Sequence, residues 1–385
     1  MFHRTINTPK SRSFFLFGAR ATGKTTVIRE RFPAHSTHSY NLLDLDVEEQ
    51  LARDPMILER QVLGLSSTIT HVVLDEIQKL PKLLDVVHNL ISTHRVPQSF
   101  ILTGSSARKL KSGGANLLAG RAALRTLFPL THHELGSAYL MESAIRWGCL
   151  PAIWNASDAE ERDDILRSYA NVYVKEEIWA EQLVRRLDPF RRFLEVSARN
   201  SGKILNYSNI ARDTGVDIKT VQAWYGLLED TLIGFHVDAW HSSIRKQLRQ
   251  SPKFYFFDTG VTRALSKMLN VIPHPQTGYY GDLFEQIVIC ELNARSHYEN
   301  LDYKLNFILT KTNVEVDLII ERPGKHPALV EIKSTNQVNE SHVSSLEHFA
   351  KDFPEAQLEL WSQDPKVQKF GRITAMPWQQ GIRSV

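Results

Sequence analysis

Three sets of residues in this 385-residue chain have types and spacings that could do chemistry. The first is Gly18-Ala19-Arg20-Ala21-Thr22-Gly23-Lys24-Thr25, followed by Thr26, which matches every position of G-x-x-x-x-G-K-[ST]. The glycines of such a loop let the backbone turn its N–H groups toward a nucleotide's phosphates, and the helix that follows adds partial positive charge. Lys24 would reach the β- and γ-phosphates and the Thr25 hydroxyl would sit on Mg²⁺, so ATP and Mg²⁺ are the expected cofactors. The second set is Asp75-Glu76, at the end of His71-Val72-Val73-Leu74. Asp75 would hold Mg²⁺ through water, and Glu76 would orient and polarise the attacking water. The other reading of this pair is a cap on the next helix. The third set is Asp317, Glu331 and Lys333, with Glu285 upstream. Two carboxylates that hold Mg²⁺, beside a lysine that steadies negative charge, are the parts of a phosphodiester-cutting site. Its alternative is solvated charge on an edge hairpin.

These groups need elements to position them. Ser13-Phe14-Phe15-Leu16-Phe17 is a short continuous apolar run, as a buried parallel strand requires, and Thr25 to Phe32 has helical spacing up to Pro33. Residues 71–76 read as a second strand and 99–106 as a third, ending at Thr103-Gly104. Ligands of doubly wound sheets sit at the carboxyl ends of strands, so Thr103 is placed to touch the γ-phosphate or its water. Ser105 and Ser106 either join it or cap a helix. Arg121, just past Gly120, opens a strand-like segment; it is either a surface charge or an arginine finger on a neighbouring subunit's nucleotide. Farther on, Val314–Ile320 and Ala328–Lys333 flank a Pro323-Gly324 turn and read as a hairpin. A period of two puts Glu331 and Lys333 on one face with Asp317 opposite, and Glu285 lies on the helix Gly281–Leu292.

Length alone suggests two or three domains. The formal net charge of +3 is too mild to imply nucleic acid by itself. No apolar run approaches the ~18 residues of a membrane span, and Phe14–Phe17 is a core strand, not a signal segment. The two cysteines, Cys149 and Cys290, fit no metal spacing and suit a reducing, cytoplasmic location.

Between the outer sets the pattern is helical. Residues 165, 166, 169, 172 and 173 mark one apolar face of a helix running toward Trp179. Residues 203–225 then have the layout of a helix-turn-helix: Ser208 caps one helix, Gly215 lies in the turn and Asp217 caps the next. Leu232–Val237 reads as a wing strand, and Lys219, Thr220 and Gln222 are exposed residues of types that reach bases or phosphates. Between Arg185 and Lys253 there are 12 Lys/Arg against 7 Asp/Glu. DNA contact and protein scaffolding both fit this segment. His236 and His241 read as packing or surface residues, and Phe254–Phe257 as a core strand.

Residues 13–135 resemble the AAA-type ATPase module of many bacterial and archaeal ATP-binding proteins, through GARATGKTT, VVLDEIQKL, FILTGSS and LLAGRAALRTLFPLTHHEL. That resemblance implies ATP hydrolysis, a parallel sheet in the order 5-1-4-3-2, and a finger or sensor role for Arg121, supplied in trans within a homo-oligomer. The ordered set Glu285, Asp317, Glu331 and Lys333 resembles the D…E-x-K core of the restriction-endonuclease-like superfamily. Residues 201–335 look like the C-terminal module that accompanies this ATPase family, a fold that either cuts nucleic acid or only recognises it. The expected α/β architecture is therefore a P-loop ATPase core over 1–135, a helical lid or linker over 136–200, a winged helix over 201–260 and a restriction-endonuclease-like domain over 261–385. The expected function is ATP hydrolysis coupled to a DNA-directed module with Mg²⁺-dependent cleavage; the alternative is an ATP-gated switch that binds DNA or protein and cuts nothing.

Overall fold

The apolar run Phe14–Phe17 forms strand β1, with all four residues buried. In this computed structural model, which describes residues 2–106, 118, 120–173, 187–241, 251–310 and 314–385, β1 lies inside a five-stranded sheet. The other strands are β2 (Thr37–Asn41), β3 (His71–Asp75), β4 (Ser99–Gly104) and β5 (Ala123–Thr126), and the order across the sheet is β5-β1-β4-β3-β2. Every pairing is parallel, with Phe15 opposite both Leu102 and Leu124. A parallel sheet must be covered on both faces, and the continuously apolar strands fit that demand. Helices Leu45–Arg53, Met56–Leu63 and Leu83–Asn89 supply part of the cover through Leu51, Leu58, Val62, Leu84 and Val87. Parallel strands also gather their carboxyl ends on one edge, which brings together the segments after β1, β3 and β4.

This sheet belongs to the first of two compact units, residues 1–130 with 227–233; the second comprises 131–226 with 234–385. In the second, an eight-stranded mixed sheet runs β12-β13-β11-β10-β9-β8-β6-β7. Its strands are β6 (Gly234–Ala239), β7 (Lys253–Phe256), β8 (Lys304–Leu309), β9 (Glu315–Glu321), β10 (Ala328–Lys333), β11 (Gln357–Ser362), β12 (Gln368–Phe370) and β13 (Ile373–Pro377). The 22-residue helix Gly278–Glu299 packs Leu283, Phe284, Ile287 and Val288 into one core with Leu318, Ile320 and Val330. A separate core joins Val316, Ile319 and Leu329 to Val343, Leu346 and Phe349. β9 and β10 are antiparallel, as the Pro323-Gly324 turn predicts, with Val330 opposite Leu318.

Helices Leu187–Arg199, Tyr207–Thr214 and Ile218–Asp230 precede the antiparallel β6–β7 pair. Gly215, at φ 70°, ends the first helix of the expected helix-turn-helix, and Asp217 caps the second by accepting from Thr220 N at 2.9 Å. Ser208 is not the cap of the first: Asn206 is, accepting from Asn209 N at 3.0 Å, and Ser208 falls within the first turn. Lys219 and Gln222 are exposed, while the Thr220 hydroxyl is committed to Asp217. β6 does more than form a wing, since its second edge pairs with β8. The core strand expected over Phe254–Phe257 is Lys253–Phe256, all four residues buried, with Phe257 just past its end. The expected helix toward Trp179 is helical over Ala159–Ser168 and Tyr169–Tyr173, and its remainder, 174–179, lies outside the described residues. Among the described residues, no helix is long and apolar enough to cross a membrane.

Candidate functional site

The chemistry-bearing residues collect in two places, one in each unit. In the first unit, β1 ends at Phe17 and the chain turns through Gly18–Gly23 into the helix Lys24–Arg31. A Cβ on Gly18 would lie 2.5 Å from Leu127 O and 2.9 Å from Thr22 Oγ1, so only glycine fits there. Gly23, at φ 95°, makes the left-handed turn that launches the helix. Lys24 is buried, and its Nζ donates to Gly18 O at 2.8 Å and Ala19 O at 3.3 Å, keeping the ammonium within the loop. Thr22 is also buried and donates to Ala19 O, whereas Arg20, Ala21, Thr25 and Thr26 face solvent.

The neighbouring strand ends meet this loop. Thr25 Oγ1 donates to Asp75 Oδ2 at 3.1 Å, and Thr103 Oγ1 donates to Asp75 Oδ1. Thr103, wholly buried, accepts the Glu76 N–H at 3.2 Å. Glu76 occupies the left-handed region at φ 62° and makes no side-chain cap on the turn that follows, so the capping reading of Asp75-Glu76 does not hold. Gln78 Nε2 donates to Glu76 Oε2 and, at 3.1 Å, to Ser105 Oγ. Gln78 had no sequence signal beyond its closeness to the acid pair. The segment after Ser106 lies outside the described residues, so the helix that Ser105 or Ser106 was expected to cap does too.

Arg121 is exposed and lies at the amino end of β5. Ala123 pairs with Phe14 and Thr126 with Phe17, so Arg121 sits at the opposite end of the sheet from its own phosphate loop.

The loop and strand ends fit a nucleotide and its metal. Gly18 and Gly23 keep the cradle free of side chains, Lys24 lies inside it, and a hydroxyl and a carboxylate stand together in the Thr25–Asp75 pair, oxygen donors of the kind Mg²⁺ takes.

In the second unit, Glu285, Asp317, Glu331 and Lys333 share a cavity of about 690 Å³ with Lys253 and Glu315. A bulge aims Asp317. Asn306 pairs with Ile319 and Ile308 with Val316, so the single residue Phe307 faces both Asp317 and Leu318. Asp317 Oδ2 accepts from Ile332 N at 2.8 Å and lies 3.7 Å from Lys333 Nζ. Lys333 Nζ is 2.5 Å from Glu331 Oε1, while Glu331 Oε2 is buried with no hydrogen-bond partner. Burial, with Asp317 nearby, pushes Glu331 up to about 8 against the pull of Lys333.

Lys253 forms a second cationic centre that sequence reasoning missed. Its buried Nζ lies 2.5 Å from Glu315 Oε1 and 3.4 Å from Glu285 Oε1. Burial opposes its charge, but Glu285, Asp317 and Glu315 outweigh that and hold the ammonium above the usual lysine value. Glu285 Oε1 also accepts from the Tyr255 hydroxyl at 2.5 Å. Burial raises Glu285, with Lys253 opposing. The signal available in sequence was a lysine opening a strand whose other residues are all apolar or aromatic. Among the described residues no group of three His, Cys, Asp or Glu side chains is arranged to hold a metal. Asp317 and the unpartnered Glu331 oxygen are the donors suited to one, with Lys333 beside both.

Residues 10–136 match the family described as AAA domain, and the five-stranded parallel sheet with its phosphate loop lies within that segment. Residues 139–271 and 280–380 match two families, each described as a domain of unknown function. Uncharacterized proteins of Mycobacterium tuberculosis and Mycobacterium bovis are each 29% identical over 326 residues, 83% of this chain and 70% of theirs. One from Haemophilus influenzae is 23% identical, over 77% of this chain and 79% of its own. Among solved structures, domain III of the Thermotoga maritima replication initiation protein aligns at a TM-score of 0.24 with 14% identity, covering 56% of this chain and 83% of that domain, a likeness too slight to carry an argument.

Proposed function

We propose that the chain is a Mg²⁺-dependent ATPase whose nucleotide state governs a nucleic-acid-directed module. The relay that joins Thr25, Asp75, Thr103 and Glu76 at the carboxyl ends of adjoining strands supports this best. Gly18 to Thr26 would enclose the triphosphate, with Lys24 on its β- and γ-phosphates. Thr25 and Asp75 would hold the metal, which would supply positive charge to stabilise the phosphates. Glu76, steadied by Gln78, would orient the attacking water. Arg121 would act on a neighbouring copy's nucleotide, in keeping with its distance along β5 from its own loop. ATP turnover by the purified protein that vanishes in Lys24→Ala is the test of this part.

For the second unit the proposed activity is phosphodiester cleavage. Asp317 and Glu331 would hold Mg²⁺, and Lys333 would stabilise charge on the scissile phosphate, with the unpartnered Glu331 oxygen as the supporting observation. The helix-turn-helix layout, with Lys219 and Gln222 exposed, supports a winged helix that touches DNA. A specific observation favours a second reading, an ATP-gated binding switch: the Lys333 ammonium already occupies one Glu331 oxygen, at 2.5 Å, and no three-ligand cluster is formed among the described residues. Incubation with supercoiled and linear DNA and Mg²⁺, with and without ATP, separates the two. Cleavage lost in both Asp317→Ala and Lys333→Ala supports a nuclease. Salt-dependent binding without cleavage supports the switch.

A further inference from the structure

The phosphate loop is held from behind by a residue outside the matched AAA segment. Arg4 is buried, and its Nη1 donates to Thr22 O at 2.7 Å, while Nη2 donates to Phe128 O at 2.6 Å and Pro129 O at 3.4 Å. One guanidinium thus ties the loop to the segment that leaves β5. Arg4 is itself placed by the loop's own helix: Arg31 Nη2 donates to Arg4 O at 2.5 Å, Arg31 Nη1 donates to Ile6 O, and the same nitrogen reaches Thr8 Oγ1 at 3.0 Å. From β5, Arg125 Nε donates to Asn7 O at 2.8 Å. Residues 4–8 are therefore clamped at several points although they form no regular element.

The peptide plane gives this clamp a consequence. In a trans peptide the carbonyl and the N–H of one unit point to opposite sides. A cation that holds the Thr22 carbonyl toward Arg4 fixes the Gly23 N–H away from it. Gly23 has left-handed φ and so gets no orientation from a regular helix at that point. A charged donor to a carbonyl is stronger than a neutral one, and the planar fork of arginine can serve several acceptors where lysine offers a point charge.

We infer that Arg4 is a positioning residue for the nucleotide's phosphates, presetting the Gly23 N–H through the Thr22 carbonyl. This rests on the AAA-type reading of residues 10–136. In Arg4→Lys the positive charge stays but the fork is lost. The Kd for a fluorescent ATP analogue and the KM for ATP should both rise about tenfold or more, the loss expected of one charge-assisted hydrogen bond, while kcat changes less. A merely structural role would lower the active fraction, and with it kcat, at unchanged KM; that result, or wild-type affinity, overturns the inference. The wild type supplies a second reading should the variant fail to fold. ATP should slow amide exchange in residues 2–9 together with residues 18–26, and protection of 18–26 with 2–9 unchanged counts against Arg4. Wild-type protein in which ATP protects neither segment and binds nowhere would overturn the AAA-type reading itself, and this inference with it.

Discussion

Thr25 Oγ1 donates to Asp75 Oδ2 across 3.1 Å, linking the first turn after the phosphate loop to the carboxyl end of β3. A second hydroxyl, from Thr103, holds the other carboxylate oxygen, so Asp75, at the end of β3, is gripped from β4 and from a helix at once. A carboxylate fixed by two hydroxyls stays oriented and pays little entropy to meet a cation, which is what preorganisation means at a metal site. Asp75→Asn keeps the shape and removes the charge. Steady-state phosphate release should fall by about 10²–10³-fold, the cost of losing a charge-stabilising group, and its Mg²⁺ dependence should shift to higher concentration. Thr103→Val, which frees one Asp75 oxygen without touching its charge, should show a smaller shift in the same direction. An unchanged Mg²⁺ titration in both would remove Asp75 from the proposed metal site.

Glu76 is held at φ 62°, where a residue with a Cβ costs about 1–2 kcal/mol over glycine. Backbone strain of this kind persists where the surroundings impose it, often at sites of function. Two substitutions separate stability from chemistry. Glu76→Gln should bind ATP normally and hydrolyse it about 10²–10³-fold more slowly, if the carboxylate orients water. Glu76→Gly should lose hydrolysis equally while its thermal midpoint holds or rises, because the left-handed strain is relieved. Normal turnover in the glutamine variant discards the assigned role.

How far the sequence revealed these sites depended on how local the determinants were. The phosphate loop is a run of adjacent residues between a strand and a helix, and Gly18 is demanded by Leu127 O only 2.5 Å from where its Cβ would stand. Asp75 and Thr103 were legible because parallel strands deliver their carboxyl ends to one edge. Glu331 and Lys333 were legible from strand alternation. Asp317 was found, but its aim was not, since the bulge that sets two residues against Phe307 leaves no mark on β9 itself. Lys253 left only the mark of a lysine at the start of an apolar strand, and Arg4 left none, for a related reason: their partners, Glu285 and Glu315 in one case and the Thr22 and Phe128 carbonyls in the other, lie far away along the chain. The Asn206 cap was missed because the helix starts at Tyr207, two residues before the point that a cap at Ser208 implies.

Glu331 gives the second unit a pH signature. Its carboxyl is pushed from 4.5 to about 8, burial being the main cause. The folded chain therefore binds a proton that the unfolded chain releases, and stability falls as pH rises from about 4.5 to about 8. Lys333, held above the usual lysine value chiefly by Asp317 and Glu331 against its own burial, stays charged through that window and adds no slope there. Thermal midpoints measured from pH 5 to 9 should decline in the wild type and be flatter in Glu331→Gln, which cannot ionise. Parallel profiles in the two proteins would mean that Glu331 is ionised through the whole range.

Lys253 decides whether Glu285 belongs to a metal site or to a structural ion cluster. The ammonium is nearly sealed from water, with a side-chain exposure of 5%, and it lies against both Glu285 and Glu315. Removing one member of a buried ion pair costs about 3–5 kcal/mol, because the remaining charge is left without compensation. Lys253→Met should therefore destabilise the second unit by about that amount, and adding Glu285→Gln and Glu315→Gln should restore much of it by removing the stranded charges. If the three side chains instead organise a cation site, Mg²⁺ should partly rescue Lys253→Met, since a dication can occupy the vacated charge position between Glu285 and Glu315. Urea unfolding of the single and triple variants, each with and without Mg²⁺, separates these outcomes. Recovery in the triple variant without any Mg²⁺ effect assigns Glu285 to the scaffold; Mg²⁺ rescue of the single variant assigns it to a cation site in the cavity.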